Sequence, residues 1–111
     1  MYVFKEPKEY SFQKVGIKGK RFSAPVSKKI GFCLIKTAKG HETKIIEHKC
    51  DFIYYILRGK GSFEINGREE NCSTGDLVVV PAGSIFTYKG NLKMGLITVP
   101  PFWSEQEETL G

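Results

Sequence analysis

The chain has 111 residues and a formal net charge of +5, and hydrophobic residues make up 41% of it. This length predicts one domain, residues 1–111, that can bury a core without a metal or disulfides. Cys33, Cys50 and Cys72 form no CxxC pair, so we expect reduced thiols and a cytoplasmic protein. No apolar run is long enough to predict a membrane-spanning segment.

The positive charge is concentrated in the first half of the chain. Residues 1–50 contain twelve Lys or Arg and four Asp or Glu, whereas residues 51–111 contain five and eight. We find no helix-turn-helix, RNP or zinc-finger pattern in either half. Net charge by itself mainly concerns solubility, so we expect no nucleic-acid partner and interpret the lysines as solvated side chains.

Short strands separated by polar turns are predicted in the first half. The pattern indicates strands over residues 10–17, 21–24, 30–37 and 43–47, with a basic turn at residues 18–21. Pro7 argues against a central strand before them. No long window has the apolar period of a helix. Polar sheet edges are often covered by a second subunit, so the first strands predict a homodimer.

The most regular pattern runs from Ile53 to Gly83. Two runs, residues 53–57 and 62–65, flank Arg58-Gly-Lys-Gly61 and predict a hairpin with a glycine turn. Asn66-Gly67 predicts a second hairpin with a type I′ turn. Val78 to Val80 predict a buried strand, after which residues 81–83 turn the chain.

The last third predicts two more strands and a tail. Residues 84–89 and 92–99 indicate strands around a turn at residues 89–91, and Phe102 and Trp103 indicate an aromatic anchor. Ser104 and Glu107 have capping-box spacing, which predicts a short C-terminal helical turn. The whole pattern is typical of an all-β antiparallel barrel, wide enough for one small ligand.

Two glycine-anchored patterns resemble the motifs of the cupin superfamily. The first motif has a glycine, a His-any-His pair, a Glu and a second glycine, and the second has a glycine, Pro-any-Gly and a His. Matching spacings fall at Gly40, positions 46, 48 and 52, and Gly59, and then at Gly75, Pro81, Gly83 and position 86. The resemblance covers about residues 30–99 and implies a small jelly-roll β-barrel.

The metal-ligand positions of that family are mostly replaced here. Where its metal-binding members carry His, His, Glu and His, this chain carries Ile46, His48, Phe52 and Phe86. One imidazole does not hold a transition metal, so we expect no metal and no cofactor. An unconventional metal site remains an alternative. Its candidate ligands are His41, Glu42, Glu47 and His48.

Strand alternation predicts an aromatic pocket at these positions. If Ile46 and His48 face inward, they join two further pairs inside the barrel, and the predicted ligand-binding residues are Ile46, His48, Phe52, Tyr54, Phe86 and Tyr88. Mostly apolar cavities with few polar groups are typical small-molecule sites. The alternative is that the same aromatic side chains fill the barrel as core.

We therefore expect a metal-free cupin that binds a small organic or sugar-like molecule, with an unknown activity. Some relatives in that superfamily are cofactor-independent sugar epimerases or isomerases, which implies an alternative in which His48 is the base and Tyr54 or Tyr88 the acid. A metal-binding cupin with an unconventional site and a filled-barrel structural module are the remaining alternatives. Cys50 near His48 lacks the third group that a Cys-His nucleophile requires.

Overall fold

The computed structural model describes residues 3–22 and 29–100 and the backbone of residues 107–110. These ranges contain nine strands. None of the described residues belongs to a helix that is long and apolar enough to cross a membrane. The strands are β1 (Phe12–Lys14), β2 (Ile17–Arg21), β3 (Gly31–Thr37), β4 (Lys44–Glu47), β5 (Asp51–Ile65), β6 (Arg68–Ser73), β7 (Leu77–Val80), β8 (Ile85–Val99) and β9 (Glu107–Leu110).

All pairings between these strands are antiparallel, which confirms the predicted all-β class. One path through the sheet runs β1-β2-β3-β8-β4-β9, and β5 joins it by pairing with β8 while also pairing with β6 and β7. Among the described strands, the sheet curls into a barrel-like body but does not close. The basic turn predicted at residues 18–21 is wrong, since these residues belong to β2. Ile17 and Gly19 face inward, and Lys18 and Lys20 alternate with them and face outward.

Two predicted turns are wrong because β5 and β8 are each a continuous 15-residue strand. Arg58–Gly61 and residues 89–91 lie opposite each other in the middle of this pair, with Gly61 directly facing Gly90. A register shift falls between Ile56 and Arg58, so the glycines accompany a bulge instead of reversing the chain. Asn66 and Gly67 have φ values of 51° and 84° and do form the predicted turn.

The glycines in the middle of β5 and β8 allow an unusually close approach of the two backbones. A Cβ atom on Gly59 would collide with the carbonyl oxygen of Asn91, and one on Gly61 with that of Lys89. Gly59 and Gly90 also have φ values of 103° and 121°, which L side chains rarely adopt. These positions therefore require glycine for packing as well as for conformation.

β7 and the C-terminal strand correct two further predictions. The prediction that residues 78–80 are a buried strand is only partly right, since Val80 is buried but Val79 is 51% exposed. Among the described strands, β7 pairs only with β5, and every second side chain of β7 faces solvent. Glu107 begins β9, which pairs with β4, so the predicted helical turn is wrong at Glu107 and Glu108. Phe102, Trp103 and Ser104 lie outside the described residues.

The core lies between the inner faces of the strands. Its fully buried members include Ile35, Ile56, Phe63, Leu92 and Met94. All three cysteines are free and buried, and burial raises the pKa of Cys33 to about 12. The thiols are therefore protonated near neutral pH.

A buried hydroxyl fixes the segment that precedes β4. Thr37 Oγ1 donates to the carbonyl of Gly16 and accepts from the backbone N–H of Gly40, both at 2.8 Å. Thr37→Val keeps the shape but leaves that buried N–H without its acceptor. We expect a loss of about 1–3 kcal/mol in the free energy of unfolding, measured by urea denaturation.

The control is Thr74→Val, because Thr74 also accepts from a backbone N–H, that of Gly59, but at an exposed position. Water replaces this acceptor at little cost, so a change of about 0.5 kcal/mol or less is expected. Equal losses in the two variants would contradict the structural role given to Thr37.

Candidate functional site

A cluster of aromatic rings fills the inner face of β5 and β8. Tyr54 lies 5.7 Å from Tyr88 between ring centroids, and Phe63 lies 4.9 Å from Tyr88 and 5.1 Å from Tyr54. Phe86 and Phe52 extend the cluster with a centroid distance of 5.9 Å. The predicted inward orientation of Phe52, Tyr54, Phe86 and Tyr88 is confirmed, since each is at most 4% exposed.

His41 is the histidine that joins this cluster. Its ring centroid is 5.4 Å from that of Tyr88 and 6.5 Å from that of Phe86, and the residue is 7% exposed. The backbone holds it against β8, because its N–H donates to the Tyr88 carbonyl at 2.8 Å and its own carbonyl accepts from Thr87 Oγ1 at 3.0 Å. The site thus places the His41 imidazole beside the phenol ring of Tyr88, which in turn neighbours the ring of Tyr54.

The tautomer of His41 follows from one hydrogen bond. Nδ1 lies 2.6 Å from the carbonyl oxygen of Thr43. Because a carbonyl only accepts, Nδ1 carries the hydrogen, and in the neutral ring the lone pair then resides on Nε2. A histidine oriented in this way by a backbone carbonyl is suited to accept a proton at Nε2.

His48 and Ile46 do not take the inward positions predicted for them. Ile45 is the direct partner of Phe86 in the β4–β8 pair, so Ile45 shares the inner face with Phe86, and alternation turns Ile46 and His48 the other way. Ile46 is half-buried and His48 is exposed. The prediction for this segment is therefore off by one residue, because Ile45 faces inward instead of Ile46. The predicted proximity of His48 to Tyr54 or Tyr88 is wrong.

Glu47 occupies the inward position next to Ile45 and is 2% exposed. Its Oε2 accepts from the backbone N–H groups of Lys49 and Cys50, which stabilises the bend after β4.

Cys50, which follows this bend, has a raised thiol pKa. Burial first and the charge of Glu47 second raise the pKa of Cys50 to about 12. The Sγ atom of Cys50 donates to the Pro100 carbonyl at 3.0 Å. A protonated, buried thiol beside an exposed His48 is no nucleophile pair.

The donor set does not fit the metal that the cupin resemblance implies. Phe52 and Phe86 occupy two ligand positions with hydrocarbon rings, and His48 is exposed. Among the described residues, no three His, Cys, Asp or Glu side chains lie close enough to hold a metal ion. The alternative ligands are also dispersed, since Glu42 is exposed whereas His41 and Glu47 have separate buried partners.

The fold and this inner site define a cupin-type protein. A family model described as the AraC-like ligand binding domain matches residues 32–96, which is more than half of the chain. The chain therefore belongs to the AraC-like ligand binding domain family. No curated protein matches it in sequence.

Solved structures extend the likeness to the whole fold. A variant of Pac13 from Streptomyces with uridine superposes with a TM-score of 0.89 at 23% identity, covering 99% of this chain and 92% of that one. KdgF from Halomonas superposes at 0.69 and 19% identity, covering 83% and 86%. EutQ from Clostridium difficile gives 0.67 at 23% identity, covering 81% and 66%.

Pac13 is described as a unique nucleoside dehydratase. Structures with uridine exist for three of its variants, in which a histidine is changed to glutamine or either of two tyrosines to phenylalanine. Those three positions have the same spacing along their chain as His41, Tyr54 and Tyr88 have in this one.

The sequence predicts the inward orientation of both tyrosines, but it pairs them with His48, which the structure turns away from them. His41 directly follows the anchoring Gly40, whereas the motif spacing points to His48. The chain has two histidines, so His41 could have been found by asking of each histidine whether it can lie beside the inward tyrosines. Strand parity could not select between them, because His41 precedes the first residue of β4.

Proposed function

We propose that this protein binds a nucleoside-like ligand against the inner cluster and removes water from it by acid–base catalysis. The observation that carries the proposal is the convergence of His41, Tyr54 and Tyr88 at the inner face, with the spacing found among the substituted residues of the nucleoside dehydratase. The small organic or sugar-like ligand expected from the sequence is compatible with a nucleoside, which contains a sugar.

His41 supplies the base in this proposal. The substrate is a nucleoside that carries a carbonyl beside a C–H bond and a hydroxyl on the next carbon, because a weak base needs an acidified proton. Nε2 takes this proton, the electron pair of the C–H bond forms the new C=C bond, and the C–O bond of the neighbouring hydroxyl breaks. The departing oxygen takes a proton and leaves as water.

The tyrosine hydroxyls supply hydrogen bonds in a site from which water is excluded. Tyr54 and Tyr88 are 3% and 1% exposed, so a hydroxyl that donates to the substrate carbonyl acts in a low-dielectric environment. That interaction strengthens as negative charge develops on the carbonyl oxygen. The proton for the departing hydroxyl comes from the imidazolium that forms when His41 accepts the first one.

The isomerase alternative uses the same first step. An isomerase returns the proton to carbon and releases no water, so the two activities differ in the mass of the product. Its original form, with His48 as base, has no support because His48 is exposed and turned away from both tyrosines. A filled core without a ligand is the remaining alternative, and the binding experiment below separates it from both enzymes.

Uridine binding tests the site directly. Isothermal titration of the wild-type protein with uridine is expected to show binding, and Tyr54→Phe is expected to weaken it about 3- to 10-fold, the cost of one hydrogen bond. Tyr55→Phe is the matched control. Tyr55 is the adjacent residue of the same strand, but it is 46% exposed and faces outward.

The control variant should bind uridine as tightly as the wild type does. Absence of wild-type binding at millimolar uridine would contradict the nucleoside proposal and favour the filled core. Equal weakening in Tyr54→Phe and Tyr55→Phe would place the ligand elsewhere. Thermal melting of each variant separates a lost contact from a lost fold.

A further inference from the structure

A row of cationic side chains crosses the outer face of the sheet. Lys18 of β2 is the direct partner of Lys36 of β3, which in turn is the direct partner of Lys93 of β8. Lys93 also pairs with Arg58 of β5. Direct antiparallel partners have Cα atoms about 4.5–5.5 Å apart and side chains on one face, so this cation row spans about 15 Å.

The cation row belongs to the face opposite the aromatic cluster. Lys36 alternates with the buried Ile35, and Lys93 alternates with the buried Leu92. Lys36, Lys93 and Arg58 are exposed, and Lys18 is half-buried. The row and the site around His41 are therefore separated by the thickness of the sheet.

Within the described ranges, no direct ion pair offsets the charges of this row. Glu6 lies 3.0 Å from Lys20, and Lys20 first and Lys93 to a smaller extent lower the pKa of Glu6. Like charges directly opposite each other across a sheet destabilise it. A bound anion would remove that repulsion.

The sheet forms a groove over this part of its surface. The groove has a volume of about 790 Å³, within the range of small-molecule sites. Lys36, Arg58 and Lys93 of the cation row line it, and so do Lys20 and Lys60. Glu6 is the one carboxylate among the described lining residues. Five cations and one anion give the groove a net charge of +4 at neutral pH.

We propose that this groove binds a small ligand that carries two or more phosphate groups. Cations spaced about 5 Å apart along a line can contact successive phosphates, whereas a single carboxylate would satisfy only one or two of them. The guanidinium of Arg58 offers paired N–H donors that match a phosphate, and the lysines add point charges. This site is independent of the proposed dehydration, since it lies on the other face.

Titration with inorganic triphosphate and with inorganic phosphate tests the proposal. Triphosphate is expected to bind at least about tenfold more tightly, because it engages several cations at once. Lys36→Gln and Arg58→Gln should each weaken triphosphate about tenfold, which is typical of losing a charged hydrogen bond. The dependence of the affinity on salt should also fall in each variant. Uridine binding should not change.

Lys39→Gln is the matched control, since Lys39 is an exposed lysine outside the groove. It should bind triphosphate as the wild type does. Equal affinity for phosphate and triphosphate, or equal weakening in Lys39→Gln and Lys36→Gln, would overturn the proposal. Tighter binding of single-stranded oligodeoxythymidylate than of triphosphate, lost in the same two variants, would overturn it in favour of a nucleic-acid surface.

Discussion

His41→Gln is expected to lower the rate of dehydration by about 10²- to 10⁴-fold, the usual contribution of a positioned general base. Glutamine fills a similar space but cannot accept a proton at neutral pH. The loss should appear in kcat, with KM changed much less, because the proton transfer occurs in the transition state and the ring contacts with Tyr88 and Phe86 are mainly packing.

The measurement is mass spectrometry of the products formed from carbonyl-bearing nucleosides, followed by steady-state kinetics on the nucleoside that loses one water. His48→Gln is the control, and its kcat should remain within about twofold of the wild-type value because His48 is exposed on the other side of β4. A full rate in His41→Gln, or an equal loss in both variants, would remove His41 from the mechanism. Release of an isomer of unchanged mass would favour the isomerase.

Gly59→Ala is expected to destabilise the fold by at least about 3 kcal/mol. Alanine at a φ of 103° is strained, and its Cβ would also collide with the carbonyl of Asn91, a backbone atom that cannot move aside as a flexible side chain can. Relief would require β5 and β8 to separate at their middle, where Gly61 faces Gly90. Urea denaturation followed by circular dichroism measures the loss.

Gly75→Ala distinguishes the collision from the conformational strain. Gly75 has a similar φ of 94°, but a Cβ there has no atom within 4 Å. Its expected cost is about 1 kcal/mol, from the backbone conformation alone. If both variants lose the same free energy of unfolding, then close packing of the two long strands contributes nothing, and the role given to Gly59 is wrong.

Strand alternation explains which parts of the site were predictable from the sequence. Phe52 and Tyr54, like Phe86 and Tyr88, sit two residues apart within long strands, so their shared inner face follows once the strand is recognised. The same logic failed for His48, because its position was counted from Gly40 across an irregular segment. A displacement of one residue exchanges the two faces of a strand completely.

Glycine in the sequence does not by itself distinguish a turn from a continuous strand. Asn66-Gly67 forms a turn, whereas Gly59, Gly61 and Gly90 lie inside continuous strands, and the local sequence is turn-like in both cases. What distinguishes them is the approach of a distant strand, which no single segment encodes. The cation row was equally hidden, because its members come from four strands and become neighbours only through the register of the sheet.

The rates at which the three buried thiols react can report partial opening of the fold. A thiol reagent attacks only the thiolate, and a buried, protonated cysteine must first become exposed, so the labelling rate measures how often each region separates from the rest. Cys72 lies on β6, which pairs only with β5 in the described sheet, whereas Cys33 lies between β2 and β8 in the middle. The order in which Cys72 and Cys33 are modified therefore reports whether β6 separates from the sheet before β3 does.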